Sequence, residues 1–410
     1  MKNIAIDGRR LWDTLMEMAQ IGPTEKGGNC RLALTDLDRE GRDLFVRWCH
    51  EAGCTTRVDQ MGNIFARRPG RDDGLPPVMT GSHLDTQPTG GKFDGVYGVL
   101  AGLEVIRTLN DHGIETEAPV EAVVWTNEEG ARFPPAMIGS GVYAGVFDLA
   151  YGHGRTDPDG LTLGAELERI DYKGAEPCGG RPLKAYFEAH IEQGPILEAE
   201  ELPIGVVTGA QGQRWFEVTV TGSESHAGTT PMPRRKDALA GAALMVAEVS
   251  RVALDRAPDA VATVGVLQSS PNSRNTVPGK VFFTIDLRHP DDDALSDMSA
   301  ALGAACARIA EERGLDLAFE EIWYFPPIPF DADCVAAVRQ GAAALGYGHR
   351  DIVSGAGHDA CNVARVAPTA MIFVPCKDGL SHNELESATP EDLAAGCNVL
   401  LHAMLERAGG

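Results

Sequence analysis

TGSHLDTQPTGGKFDGVYG, residues 80–98, is the stretch that decides the fold of this chain. The short run 77–81 predicts a strand that ends just before His83, and the periodic segment 94–109 predicts a helix that begins at Asp94. Open α/β sheets bind ligands at the carboxyl ends of their strands, so we expect both side chains to face one crevice. Imidazole and carboxylate both bind metals, and an aspartate in that place can bridge two cations.

A pair of glutamates follows the next predicted strand, 120–126. Glu128 and Glu129 come after Asn127 in this short connection. One of two adjacent carboxylates can bind a metal while its neighbour stays free to take a proton, as metal-assisted hydrolysis requires. His190 in HIEQG and His382 in SHNELE stand in similar glycine- or carboxylate-bearing loops.

The order of the remaining patterns predicts an α/β protein of two domains. Strands and helices alternate around the first motifs, which is typical of a layered domain with a mixed sheet. Residues 211–325 instead follow the order β-α-β-β-α-β of a ferredoxin-like domain, with one strand expected over 261–267. Because SHNELE lies beyond this segment, we expect it to be inserted into a metal-binding domain made of residues 1–210 and 326–410.

These motifs resemble those of the M20-type dinuclear metal amidohydrolases, from Gly22 to about Leu400. The motifs around His190 (HIEQG) and His226 (ESHAGTTPM) resemble those of the branch that hydrolyses ureido groups. This branch comprises N-carbamoyl-L-amino acid hydrolases, β-ureidopropionases and allantoate amidohydrolases. The resemblance implies two divalent ions per subunit, and zinc, manganese, cobalt and nickel all suit such ligands. The ligands implied are His83, Asp94, Glu129, His190 and His382.

The resemblance also implies roles for residues around the ions. Glu128 is expected to be the general base, and Asp85 is expected to orient His83 through its carboxylate. His226 is expected to stabilise the oxyanion, in its own subunit or across a dimer. The substrate-binding residues implied are Gln193, Asn275, Arg288 and Gly357. Taken without the motifs, these residues have simpler interpretations: Arg288 and Asp85 as solvated side chains, Asn275 as a turn residue, and Glu128 as a structural hydrogen-bond partner.

The charge and composition of the chain bear on its partners and its compartment. The chain has 59 acidic and 36 basic residues and a net charge of -23, which disfavours nucleic acid and anionic membranes as partners. No apolar run approaches the length of a membrane span, and the nine scattered cysteines contain no C-x-x-C pair, so we expect a cytoplasmic protein with reduced thiols. By resemblance, the inserted domain is expected to act as a lid and to join a homodimer.

The favoured function is metal-dependent hydrolysis of the ureido group of an N-carbamoyl-L-amino acid, or of N-carbamoyl-β-alanine, to amino acid, carbon dioxide and ammonia. Such an enzyme is a hydrolase of carbon-nitrogen bonds other than peptide bonds, and its substrate is a small ureido compound with a carboxylate. Allantoate amidohydrolase is the first alternative, since it uses the same ligands. A dipeptidase or aminoacylase is more distant, and a catalytically inactive binding protein belongs to another class altogether.

Overall fold

A computed structural model describes residues 4–409, which divide into two compact units. The first unit runs up to Thr208 and resumes at Phe330, and the second comprises Gly209–Pro329. These divisions lie within four residues of the expected bounds, 1–210, 211–325 and 326–410. Each unit has its own sheet and its own helices.

The helices and strands alternate along most of the chain. The helices are α1 (Gly8–Met18), α2 (Asp36–Glu51), α3 (Val96–Asp111), α4 (Ile138–Tyr143), α5 (Leu149–His153), α6 (Leu163–Arg169), α7 (Ile196–Ala199), α8 (Ala238–Leu254), α9 (Asp292–Arg313), α10 (Ala332–Leu345), α11 (Asp359–Val363) and α12 (Pro390–Ala408). The strands are β1 (Thr55–Val58), β2 (Ile64–Arg68), β3 (Val78–His83), β4 (Val120–Trp125), β5 (Ala185–Ile191), β6 (Ile204–Ala210), β7 (Gly212–Thr221), β8 (Ser225–His226), β9 (Val261–Thr263), β10 (Leu267–Ser270), β11 (Thr276–Val277), β12 (Lys280–His289), β13 (Asp316–Phe325), β14 (Ile328–Pro329), β15 (His349–Ser354) and β16 (Thr369–Val374). Short 3₁₀ turns cover Met232–Arg234 and Lys377–Gly379.

The sheet of the first unit is mixed. Its strand order is β1-β2-β4-β3-β5-β16-β6, and β15 also pairs with β6. Four central neighbours, β4, β3, β5 and β16, run parallel to one another, and the flanking pairs are antiparallel. Every residue of these four strands is buried, as expected where both faces of a parallel sheet are covered. The predicted α/β class with a mixed sheet is confirmed.

The residues just before two of the helices determine where those helices begin. α3 begins at Val96 rather than at Asp94, because Gly95 precedes it with φ 68°, a left-handed conformation outside the helix. α2 begins at Asp36, and the Thr35 side chain caps it by accepting a hydrogen bond from the Asp38 N–H. Asp94 therefore lies in the loop before α3 and not in the helix.

The second unit has a separate antiparallel sheet with the order β10-β12-β7-β13, and β9 also pairs with β12. Its elements follow the order β-α-β-β-α-β, but the single strand expected over 261–267 is wrong. The structure has two pieces there, β9 and β10, with Gly265 in the break, and glycine weakens a strand interior. Alternate residues of β7 and β12 form a core with α8 and α9. That core includes Phe216, Val218, Val220, Phe283, Ile285, Met245, Met298 and Leu302.

Two further features bear on the composition-based expectations. None of the helices within residues 4–409 combines the length and the apolarity that a bilayer span requires. All nine cysteines have free thiols, as expected from their scattered spacing.

Candidate metal centre

The four parallel strands bring the predicted ligands to one edge of the first sheet. His83 is the last residue of β3, and Glu128 and Glu129 follow β4. His190 lies at the end of β5, and His382 lies in the loop after β16. Because parallel strands present their carboxyl ends at the same edge, these side chains meet although they are far apart in sequence.

Asp94 lies between two groups of these side chains. Its Oδ1 atom is 3.2 Å from His190 Nε2 and 3.6 Å from His83 Nε2. Its Oδ2 atom is 3.5 Å from His382 Nε2, which is in turn 3.3 Å from Glu129 Oε2. Potential donor atoms of His83, Asp94 and His190 lie within 4.8 Å of one another, and so do those of Asp94, Glu129 and His382. The two groups share only Asp94.

The two buried histidines have one ring nitrogen directed at Asp94. His83 Nδ1 donates to the Asp85 carbonyl oxygen at 2.8 Å, and His190 Nδ1 donates to the Ile191 carbonyl oxygen at 2.9 Å. A carbonyl oxygen only accepts, so in each neutral ring Nδ1 carries the proton and Nε2 presents a lone pair. This tautomer is the one that a metal-binding imidazole with a backbone partner adopts.

Asp85 contacts the site differently from the sequence expectation. Its carboxylate accepts from the backbone N–H groups of Glu128 and Glu129, both at 3.2 Å, whereas its Oδ1 is 4.0 Å from His83 Nδ1. The main-chain carbonyl of Asp85 lies closer and orients the His83 ring instead. Asp85 therefore connects two strand ends, through its carbonyl to β3 and through its carboxylate to the connection after β4.

Glu128 and Glu129 diverge from a strained backbone. Asn127 has φ 57°, in the left-handed region, and its side-chain amide donates to the Phe133 carbonyl at 2.8 Å. Glu128 Oε2 lies 3.4 Å from His83 Nε2, on the side of the first donor group. Glu129 Oε2 faces His382 and accepts from Gln87 Nε2 at 2.7 Å. Only Glu129 belongs to one of the donor groups among the described residues.

Three buried carboxyl groups at this edge have shifted pKa values. Burial raises the pKa of Glu128 well above its usual range; His83 opposes this shift, and Asp359 adds to it. Burial and the neighbouring Asp94 raise the pKa of Glu129 to about 8. Burial acts to raise the pKa of Asp94 too, but the pKa lies well below its usual range when the neighbouring His190 and His83 rings are protonated. Carboxylates packed this closely, with imidazole lone pairs among them, form a donor set that fits divalent cations.

The predicted substrate-binding residues are divided between the units. In the first unit, Gln193 has φ 58° and donates from Nε2 to Asp94 Oδ2 at 2.8 Å. Its Oε1 atom is buried and finds no hydrogen-bond partner among residues 4–409. Gly357 lies in the loop between β15 and α11, where an added Cβ would be 2.9 Å from Met137 Cε.

The other two, Asn275 and Arg288, belong to the second unit, and so does the predicted catalytic residue His226. His226 and Asn275 are neighbours there, because β8 pairs with β11 and the Ala227 N–H donates to the Asn275 carbonyl at 2.9 Å. Arg288, on β12, forms an ion pair with Asp286, with Nη2 and Oδ2 2.8 Å apart. The structure thus brings His226 and Asn275 together within one unit.

Several residues at the centre did not emerge from the sequence. Glu386 Oε1 accepts from the backbone N–H groups of Phe93 and Asp94, and Ser381 Oγ donates to Asp94 Oδ2 at 2.5 Å. His358, which the SGAGHDA motif had marked without a definite role, packs its ring edge-on against His190, with centroids 4.6 Å apart. The available signal was the SHNELE motif itself, in which Ser381 and Glu386 flank the expected ligand.

Comparison with known proteins agrees with this geometry. The model of peptidase family M20/M25/M40 matches residues 79–406. The chain belongs to this family. Its relatives include the N-carbamoyl-L-amino-acid amidohydrolase of Rhizobium meliloti, 54% identical over 407 residues, which are 99% of this chain and 98% of the relative. Another M20 relative is the allantoate amidohydrolase of Bacillus subtilis, 34% identical over 95% of both chains.

A solved M20-family structure is similar over almost the whole length. The crystal structure of an amidase of the hydantoinase/carbamoylase family from Burkholderia multivorans has a TM-score of 0.97 and 66% sequence identity, and the match covers 99% of each chain. The family predicted from the motifs is therefore confirmed, and so is the fold class.

Replacing Gly95 by alanine is expected to disrupt the centre. A Cβ at this position would lie 2.3 Å from the His83 ring, so the ring or the backbone next to Asp94 must shift. We expect bound divalent metal, measured by elemental analysis after dialysis, to fall at least about tenfold. Gly113→Ala is the matched control, because Gly113 lies just past the other end of α3 with φ 60° and an added Cβ there would contact nothing within 4 Å. Equal metal content in the two variants would contradict this account of the His83 position.

Proposed function

We propose that this chain hydrolyses the ureido group of an N-carbamoyl-L-amino acid to the amino acid, carbon dioxide and ammonia. One observation carries the proposal: the two oxygens of Asp94 face two separate donor groups, with the Glu128 carboxylate beside one of them. The names of relatives matched over nearly the whole chain support the ureido substrate. N-carbamoyl-β-alanine, which differs in the spacing between carboxylate and ureido group, remains within the same proposal.

Two divalent cations per subunit belong to this proposal. His83 and His190 would hold one ion, Glu129 and His382 would hold the other, and Asp94 would bridge them. When bound, such ions polarise the attacked carbonyl and lower the pKa of water. The chain supplies the rest: the histidine tautomers are fixed by backbone carbonyls, and the connection after β4 is held by Asp85.

Glu128 is proposed to move the proton. Its carboxylate adjoins the first donor group at His83 and is 8% exposed, so a proton taken there is shielded from bulk water. In the reaction Glu128 would accept a proton from the attacking water and deliver it to the departing nitrogen. Glu129 cannot take this role while it serves as a ligand beside His382.

His226 is proposed to stabilise the negative charge that develops on the ureido oxygen. Its Nδ1 atom accepts from the backbone N–H groups of Gly228 at 3.0 Å and Thr229 at 3.2 Å. In the neutral ring the proton therefore resides on Nε2, and an exposed Nε2–H is the donor that an oxyanion requires. This tautomer supports the role for His226, from its own chain or from a second copy.

The remaining contacts would set the substrate class. A guanidinium such as that of Arg288 binds a carboxylate in a bidentate manner, and the Asn275 amide can donate beside it. The buried Oε1 of Gln193 offers an acceptor for a ureido N–H, and the backbone at Gly357 completes the pocket in this proposal. Dipeptides lack the second nitrogen on the attacked carbonyl, so an acceptor at Gln193 favours ureido compounds over them.

A homodimer is proposed through the second unit. Strand β13 is an edge strand of ten residues, and Ile322 and Trp323 on it are 49% and 44% exposed. An exposed edge of this length with large apolar side chains favours pairing with another strand. Light scattering after size exclusion tests this: twice the chain mass is expected, and a monomer at micromolar concentration would contradict it.

Ammonia release is the experiment that tests the reaction. Protein stripped of metal and reloaded with manganese, cobalt, nickel or zinc is offered N-carbamoyl-L-amino acids, N-carbamoyl-β-alanine and allantoate, with dipeptides scored for free amine. We expect metal-dependent ammonia from N-carbamoyl-L-amino acids. Preference for allantoate, the substrate class named in one relative, would replace the proposed substrate, and dipeptide cleavage without ammonia would contradict the ureido reaction.

Substitution of the two glutamates separates their roles. Glu128→Gln is expected to keep both ions and to lower kcat about 10²- to 10⁴-fold, because the amide cannot take the proton. Glu129→Gln is the matched neighbour, and its metal content is expected to fall. Metal analysis and ammonia kinetics on both variants measure this. Full turnover in Glu128→Gln would remove Glu128 as the base.

A further inference from the structure

Glu386 is a buried carboxylate that no step of the proposed reaction uses. It is 5% exposed and lies four residues after His382 on the loop that follows β16. Its Oε1 accepts from the Phe93 N–H at 2.8 Å and from the Asp94 N–H at 3.1 Å. These contacts join residues almost 300 positions apart in sequence, so they exist only when the loop after β16 is docked against the loop before α3.

The space for this carboxylate depends on a glycine. A Cβ on Gly91 would lie 2.0 Å from the Glu386 carboxyl carbon and 2.1 Å from its Oε1, well inside any van der Waals contact. Gly91 does not have a positive φ, so its conformation alone does not require glycine. The absence of a side chain at 91 is therefore explained by the close approach of the Glu386 carboxylate to this backbone.

A third segment fixes the same loops from the N-terminal side. Asn29 and Gly90 exchange backbone hydrogen bonds of 2.9 and 3.1 Å, so the loop after α1 is attached to the loop that leads to Asp94. A Cβ on Gly28 would lie 2.6 Å from Glu384 Cα, which places this loop against the segment that carries Glu386. The ammonium of the exposed Lys26 also lies 3.2 Å from the Glu384 carboxylate.

We propose that Glu386 is a positioning residue that sets the bridging aspartate and thereby controls metal affinity. Its carboxylate accepts a hydrogen bond from the backbone N–H of Asp94, and its own loop supplies His382. One side chain therefore holds two predicted ligands in fixed positions relative to each other. Because Asp94 is shared by both donor groups, loss of this hydrogen bond should lower the affinity for both ions together. A purely structural role would lower stability and leave the affinity of the folded chain unchanged. The inference rests on the proposed two-ion site.

Metal titration of the full chain tests the inference. Metal-free protein is titrated with Mn²⁺ and with Zn²⁺ by calorimetry, bound metal is counted by elemental analysis, and circular dichroism checks the fold. Glu386→Ala is expected to lower the affinity for both ions about 10- to 100-fold, the usual effect of removing a partner of a metal ligand. Gly91→Ala is expected to do the same, because its methyl group displaces the Glu386 carboxylate.

Two further variants complete the test. Glu386→Gln is expected to retain most of the affinity, since its Oε1 atom accepts the same two N–H groups. Glu384→Gln lies in the same loop, but its carboxylate faces Lys26 and Thr24 and not Asp94, so this variant is expected to bind metal as the unaltered chain does.

Three outcomes would overturn the inference. Unchanged affinity in folded Glu386→Ala removes the positioning role, and if that variant does not fold, unchanged affinity in Gly91→Ala does so. Equal losses in Glu386→Gln and Glu386→Ala would show that the hydrogen bonds are not the cause. If the unaltered chain does not bind divalent metal, the two-ion proposal is wrong, and so is the role of Glu386. If it binds two ions but releases no ammonia, only the ureido reaction is rejected, and the positioning role is retained.

Discussion

Repulsion among buried carboxylates at the carboxyl edge of four parallel strands is the constraint on which the site depends. Glu129 lies near Asp94 and Glu128 lies beside His83, and burial raises the pKa of both glutamates. Burying such charges without opposite charge is costly, and backbone N–H groups hold the nearby carboxylates of Asp85 and Glu386 in place. The arrangement fits cations held between the two oxygens of Asp94, and the surrounding loops serve to keep that carboxylate in place.

The sequence predicted most of this centre because its residues occur in short motifs at strand ends. His83 ends one strand of the parallel set and Glu129 and His382 follow two others, and that order brings them to one edge. The role of Glu386 was not predictable in this way. Its partners lie nearly 300 residues away, and no local pattern records which backbone N–H a side chain reaches.

Two differences in detail have the same origin. The carboxylate of Asp85 was expected at the His83 ring, yet it accepts from the N–H groups of Glu128 and Glu129, because side-chain direction in a loop depends on the neighbouring connection. The strand expected over 261–267 is two strands, since the register on β12 changes around Gly265. Periodicity identified the apolar positions of the second unit, whereas the break depended on pairing with a distant strand.

Anomalous diffraction from crystals grown with manganese or zinc is the measurement that tests the central claim most directly. Peaks collected at the absorption edge of the metal locate the ions without assumptions about ligands. The account predicts two peaks in each chain, one beside His83 and His190 and one beside Glu129 and His382, with Asp94 between them. A single peak, or two peaks that do not share Asp94, would contradict it.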